Sequence, residues 1–409
     1  MNLEKIHQIF ADTAYIRTSG TEQELRCAHY LQQQCAALGL DAKLEAFDVP
    51  MANIQKAILT VDGREIPCKG YFCAGSATVE APFYYLANTD DYAQAQCKGK
   101  IVMIDGYLGY WRYQDLLTHG AVGFITYNGD ANYPDEDIDQ RELRSYVHNG
   151  NKIPGVNINV KTAIQLVKSR AKTAKIELLQ EEYTGQSHNL VVDLPGESEE
   201  TIVFTAHYDS VPLSQGVYDN MSGSVGVLAL AEYFASHPHK ASLRFVWCGS
   251  EERGLLGSKA YVAAHESELE HVVLNINLDM IGSIMGEFHA CATADVKLVH
   301  YIQYFAAMDG FGMDAIQGVY SSDSTPFADK GVPAVSFARL APENTATIHN
   351  RYDTMEVMSM EQQAEDMAFL IRFADAIANA ARCPVARMIP DNMKEELDYY
   401  LARKRKENK

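Results

Sequence analysis

Five short stretches of the chain carry imidazoles and carboxylates, three of them just after apolar runs. Residues 201–210 read TIVFTAHYDS, so strand-forming residues lead into His207, with Asp209 two positions later. A histidine there can give a ring nitrogen to a metal, and a carboxylate close behind can orient that ring. Residues 217–223 (VYDNMSG) bring Asp219 to the start of a run of small and apolar residues. Asp, Asn and Ser are also the favoured helix N-caps, so this stretch has a purely structural reading as well. Residues 248–258 (CGSEERGLLGS) set Glu251 and Glu252 side by side after another strand-like run. From a loop, adjacent side chains can point different ways, so one can bind a metal while the other handles a proton. The glycines around them allow close backbone approach. Residues 275–282 (NINLDMIG) put Asp279 at the end of an apolar run, where an unpaired buried charge would be costly. In residues 347–354 (TIHNRYDT), His349 lies in a polar loop.

Taken singly, each stretch reads as a cap, an exposed acidic turn or a loop histidine. Together, two histidines and three or four carboxylates recur at successive strand ends. Mixed nitrogen and oxygen donors suit zinc among other divalent metals. A carboxylate shared by two ions would make a two-metal hydrolytic site possible. The chain has no Gly-x-Ser-x-Gly elbow, so a serine nucleophile is not expected.

The elements that must position these residues are legible from periodicity. Residues 3–38 read as helices broken near Ser19-Gly20, with Gly39 ending the second, and 42–48 alternate as a strand. Short β-like runs at 57–61, 83–86, 101–104 and 122–125 follow between Gly, Asp and Asn turns. An acidic loop runs through Asp130, Asp135, Glu136, Asp137 and Asp139. From 186 onward strands alternate with helices: apolar runs at 190–192, 202–204, 243–247, 272–278 and 334–337, helices at 222–234 and about 360–381. That rhythm predicts an α/β domain whose mainly parallel sheet is covered by helices. The last 19 residues read as a surface helix with a frayed basic end.

Composition narrows the partners. With 47% hydrophobic and 22% charged residues the chain can bury a large core, and 409 residues suggest more than one domain. A net charge of −19 disfavours nucleic acid and acidic membranes as partners. No run of about 18 apolar residues and no basic-then-apolar start occurs, so neither a membrane span nor a secretory signal is read, and a cytoplasmic setting is expected. The eight cysteines are scattered and are expected as reduced thiols. Oligomeric state is not legible.

The stretches AHYDS, YDNMSG, SEERGLLGS, NLDMIG and IHNRYDT, in this order, resemble the dizinc exopeptidase family of bacterial leucyl aminopeptidases and glutamate carboxypeptidase II. The resemblance covers roughly 1–50 and 186–385. It implies the zinc-peptidase fold, two Zn2+ ions per chain and peptide substrates, with aminopeptidase activity the first expectation. Carried over, His207 and Asp279 bind one zinc, Glu252 and His349 the other, and Asp219 bridges them. Glu251 is the general base and Asp209 the partner of the His207 ring. The runs CKGKIVMI at 97–104 and GAVGFI at 120–125 resemble, more loosely, the protease-associated domain inserted in many members. This gives a catalytic domain of 1–51 with 185–409 and an inserted β-rich domain of 52–184, expected as a lobe beside the cleft. Where many relatives carry a histidine this chain has Ser324, which bears on the substrate pocket. A carboxypeptidase or amide hydrolase, a glutaminyl cyclase-like transferase and a non-catalytic binding protein are alternatives on the same scaffold. The inserted segment argues against the cyclase, and the complete set of five ligands with Glu251 argues against the binding protein.

Overall fold

The computed structural model describes residues 1–106 and 108–406. The chain forms two compact units, Met1–Val49 with Gln186–Lys409, and Pro50–Gly185. Both boundaries fall inside long strands, Ala42–Val61 and Thr173–Leu194. The sequence divides the first of these into runs at 42–48 and 57–61, but it is one strand. Pro50 is the main interruption, and its fixed φ is compatible with extended backbone.

In the first unit four parallel strands lie side by side in the order Ala334–Leu340, Val272–Leu278, Ser198–His207, Ala241–Cys248. The end of Thr173–Leu194 joins antiparallel beyond Ala241–Cys248. At the other side Glu287–Thr293 pairs antiparallel with Ala334–Leu340, and Asp314–Gln317 forms the edge. Strand alternation sorts side chains onto the two faces. Ile202, Phe204, Ala206, Leu243, Phe245 and Trp247 enter the larger core, while Val203, Val246 and Cys248 enter a smaller one with Tyr261, Val262 and Phe327. The helix Ser222–Phe234 packs in the larger core and is apolar almost all round, as befits a helix with little exposed surface. Leu3–Thr13, Glu22–Ala37 and Met360–Ala378 cover the same core.

The second unit has its own core around Tyr71, Tyr113 and Phe124, whose rings meet edge to face. Four of its strand segments run parallel: 83–86, Ile101–Ile104, Gly123–Asn128 and Gly155–Asn159. Helices Tyr110–Thr118 and Val160–Lys168 lie between and after them, so this unit holds more βα character than its short runs suggest.

The C-terminal segment also departs from the sequence reading. The helix Asp391–Tyr400 buries Met393 and Leu397. Its basic residues are paired as far as 406: Arg403 makes a two-pronged pair with Asp329 at 2.6 and 2.7 Å, and Lys406 meets Glu396 at 3.0 Å, while 407–409, where the sequence reads a frayed end, lie outside the described residues. In a chain this acidic, Arg403, Lys404 and Lys406 each find a carboxylate close by.

Candidate metal centre

Parallel strands end on the same side of a sheet, so residues just past their ends converge there. His207 is the last residue of Ser198–His207, and Asp279 directly follows Val272–Leu278. Glu251 and Glu252 lie in a turn just after Ala241–Cys248, and His349 in the loop beyond Ala334–Leu340. Asp219 comes from the irregular turn before the helix Ser222–Phe234.

Asp219 sits between the two imidazoles. Its Oδ1 lies 3.2 Å from His207 Nε2 and its Oδ2 lies 3.1 Å from His349 Nε2. Around His207 are Asp279 at 3.8 Å and Glu251 at 4.0 Å; beside His349 is Glu252 at 3.1 Å. Donor atoms of His207, Glu251 and Asp279 all lie within 4.8 Å of one another, as do those of Asp219, Glu252 and His349. His207 is 1% exposed, whereas the His349 side chain is half exposed.

Neighbouring groups hold this arrangement through the backbone. Asp209 stands 3.4 Å from His207 Nδ1 and accepts the amides of Glu251 at 2.9 Å and Glu252 at 3.3 Å. It therefore links the histidine strand to the glutamate turn. Asp353, in the same motif as His349, accepts the amides of Tyr218 at 2.7 Å and Asp219 at 3.2 Å. The cap suggested by VYDNMSG is Asn220, not Asp219: Asn220 Oδ1 accepts from Gly223 N at 2.9 Å and Met280 N at 3.0 Å. Its amide donates to Leu278 O at 2.9 Å, tying the Asp219 turn to the Asp279 turn. Arg17 is fully buried and gives its guanidinium to backbone carbonyls, among them Tyr208 at 2.7 Å and Gly216 at 2.9 Å. It thus fixes the loop joining His207 to Asp219.

The electrostatics are those of a site short of positive charge. Burial, with repulsion from Glu252, Asp323 and Asp279, pushes the Glu251 carboxyl well above the usual range despite His207. Glu252 is raised too, by burial and by Asp219. Burial works against a charged His207, yet Glu251 and its hydrogen-bonding carboxylates raise its pKa well above the ordinary value. Burial likewise opposes ionisation of Asp219, but His207 and His349 outweigh it and hold that carboxyl low. Asp323, buried and near the charges of Asp209 and Asp279, is pushed up to about 7. Buried carboxylates in such density need cations to balance them. Asp279 Oδ1 and Tyr320 Oη are buried with no hydrogen-bond partner among the described residues. The donor set, the crowding of like charge and the orphaned Asp279 oxygen fit a pair of divalent cations.

All seven residues singled out from the sequence meet in this one region. Periodicity gave no sign of Arg17, Asn220, Tyr320 or Asp353 as site residues; only Asn220 and Asp353 lay in stretches already marked. Ser324 forms no part of the cluster: its hydroxyl pairs with Ser336 at 2.8 Å inside the protein.

Comparison with known proteins bears on this geometry. A model of peptidase family M28 matches residues 189–373. Aminopeptidase YwaD of Bacillus subtilis (strain 168) is 30% identical over 380 residues, spanning 86% of this chain and 79% of that protein. The structure of BSAP, a zinc aminopeptidase from Bacillus subtilis, superposes with a TM-score of 0.76 at 25% identity, covering 95% of this chain and 99% of that one. An aminopeptidase from Aneurinibacillus sp. strain AM-1 shares the fold with a TM-score of 0.74 at 22% identity, covering 94% of this chain and 96% of that one.

Proposed function

The chain belongs to peptidase family M28, and from that premise we propose that it is a zinc aminopeptidase, releasing N-terminal residues from peptides. The observation that carries this reading is Asp219, whose two oxygens each face a different histidine at 3.2 and 3.1 Å. His207 and Asp279 would hold one zinc, Glu252 and His349 the second, with Asp219 shared. When bound, the ions supply Lewis acidity: they lower the pKa of a bound water and polarise a carbonyl.

The protein's own groups divide the remaining work. Glu251 is the proton acceptor of this reading. Of the carboxylates of Asp219, Asp279 and Glu251 around His207 Nε2 it is the farthest, at 4.0 Å, and its raised pKa suits a group that takes a proton and returns it to the leaving amine. Glu252, at 3.1 Å from His349, sits among the second set of donors. Asp209 keeps both glutamates in register through their amides and faces the ring nitrogen that His207 turns away from the centre. The free hydroxyl of Tyr320, raised in pKa by burial and then by the charge of Asp279, remains a donor at any working pH. It can give a hydrogen bond to an oxyanion developing nearby. We read the unit Pro50–Gly185 as a protease-associated-like insert, a reading supported by its separate core.

The test is metal analysis joined to a panel of aminoacyl and N-blocked peptides. About two zinc ions per chain, turnover of free-amine substrates only, and loss of turnover with a chelator are expected. Full turnover in metal-free protein, or preference for N-blocked peptides with a free carboxylate, overturns the reading.

A further inference from the structure

The glutamate turn is held from a second side, by the N-terminal segment. Glu24, on the helix Glu22–Ala37, is 1% exposed although its side chain is a carboxylate. Its Oε1 accepts from Ser250 N at 3.0 Å, Ser250 Oγ at 3.3 Å and Ser187 Oγ at 2.7 Å; its Oε2 accepts from Gly20 N at 2.6 Å. Ser19 Oγ adds a contact to Ser250 Oγ at 2.5 Å. Three consecutive amides, those of Ser250, Glu251 and Glu252, therefore point at two buried carboxylates, the first at Glu24 and the others at Asp209.

This turn needs such a hold. Ser250 has φ 56°, a left-handed conformation that a non-glycine residue keeps only when its surroundings over-determine it. A Cβ on Gly249 would meet Ser187 Oγ at 2.5 Å and Glu24 Oε1 at 3.0 Å, so the backbone is pressed close to the carboxylate. Beyond Ser250 the chain sends Glu251 toward His207 and Asp279, and Glu252 toward Asp219 and His349. A rotation of the turn would move both glutamates at once.

We propose that Glu24 is a positioning residue for the two-metal site: its carboxylate fixes the Ser250 turn and thereby aims Glu251 and Glu252 at their separate partners. This rests on the zinc aminopeptidase reading for its functional consequence, though not for the structural one. Sites of this kind tolerate displacements of about 0.5 Å, and a shift of about 1 Å costs on the order of 10²-fold in rate.

The experiment compares Glu24→Gln with Ser187→Ala in the full chain. Glu24→Gln keeps the shape but leaves one oxygen to serve donors that now use two. Ser187→Ala removes a neighbour of the same carboxylate without touching its bond to the turn. Amide hydrogen exchange is followed by mass spectrometry, zinc affinity by chelator competition, and kcat and KM on an aminoacyl substrate. In Glu24→Gln, exchange should speed at least about tenfold in peptides covering 249–255 and stay unchanged elsewhere. Zinc affinity should fall about tenfold and kcat about 10- to 100-fold, with KM within about twofold. Ser187→Ala should stay within about twofold of the parent throughout. Unchanged local exchange and zinc affinity in Glu24→Gln, or equal damage from Ser187→Ala, overturns the proposal. Should Glu24→Gln not fold, Glu24→Asp keeps the charge one methylene short and carries the same comparison. Local exchange and zinc affinity that respond in a protein with no aminopeptidase turnover would leave Glu24 in its role and sink the activity reading instead.

Discussion

Glu251 and Glu252 are neighbours in sequence, share a turn and accept their hold from the same Asp209, yet their carboxylates face different partners. Similar damage from either substitution is therefore the wrong expectation. Glu252→Gln replaces a charged donor beside His349 with a neutral amide, a poorer zinc ligand, so metal content should drop. Glu251→Gln should keep both ions and lose the proton acceptor. General bases contribute about 10²–10⁴-fold, so kcat should fall by at least that with substrate still bound. Metal analysis and kcat on both variants decide it. Metal loss confined to Glu251→Gln would exchange the two roles, and near-parental turnover in Glu251→Gln would end the mechanism.

Elements reach the site through close approaches that leave no room for a side chain. A Cβ on Gly223 would sit 2.2 Å from Leu278 O and 2.5 Å from Asn220 Oδ1, where the helix Ser222–Phe234 meets the strand before Asp279. Gly223→Ala must push these apart, at a cost of about 1–3 kcal/mol or more, and it displaces the Asp219 and Asp279 turns together. A Tm lowered by several degrees with weakened zinc affinity is expected. Gly312→Ala, where the added carbon meets nothing within 4 Å, should change neither. If both substitutions behave alike, the packing argument fails. The helix Glu22–Ala37 offers a second check. Cys27, Ala28, Leu31 and Cys35 form its buried face, and burial pushes both thiols up to about 12. The reactive thiolate lies on the basic side of that value, so at neutral pH native Cys27 should alkylate slower than a free thiol by a factor on the order of 10³, even before access is considered. Rapid labelling at pH 7 without denaturant would show that this face opens.

At the scale of the molecule, 54 acidic against 35 basic side chains leave a net charge of −19. Long-range attraction should favour cationic peptides at low ionic strength and fade as salt shortens the Debye length from about 30 Å at 0.01 M to about 3 Å at 1 M. For a lysine-rich peptide, kcat/KM should fall several-fold across that range, while for a glutamate-rich peptide of equal length it should rise. Equal salt slopes for the two would show that the charge lies too far from the site to steer substrate.

The candidate residues were legible in the sequence because His207, Glu251, Glu252 and Asp279 come just after apolar runs, and the parallel strands those runs form must end on one side; Asp219 and His349, in a turn and a polar loop, were marked by their motifs instead. Strand period and helix period likewise set the α/β architecture. Family resemblance implied a shared Asp219, but local pattern alone could not say that Asp219 stands between the histidines while Asn220 takes the cap. That depends on which side chain the turn aims inward, and both residues are equally good caps in one dimension. Nor could it mark Arg17 and Glu24, whose contacts to the site are made about 190 and 230 positions away, at the Tyr208 carbonyl and the Ser250 amide, backbone groups that carry no residue signature. Local periodicity reports what a segment buries. Which distant carbonyl or amide a buried charge will meet is decided only when the helices close over the sheet.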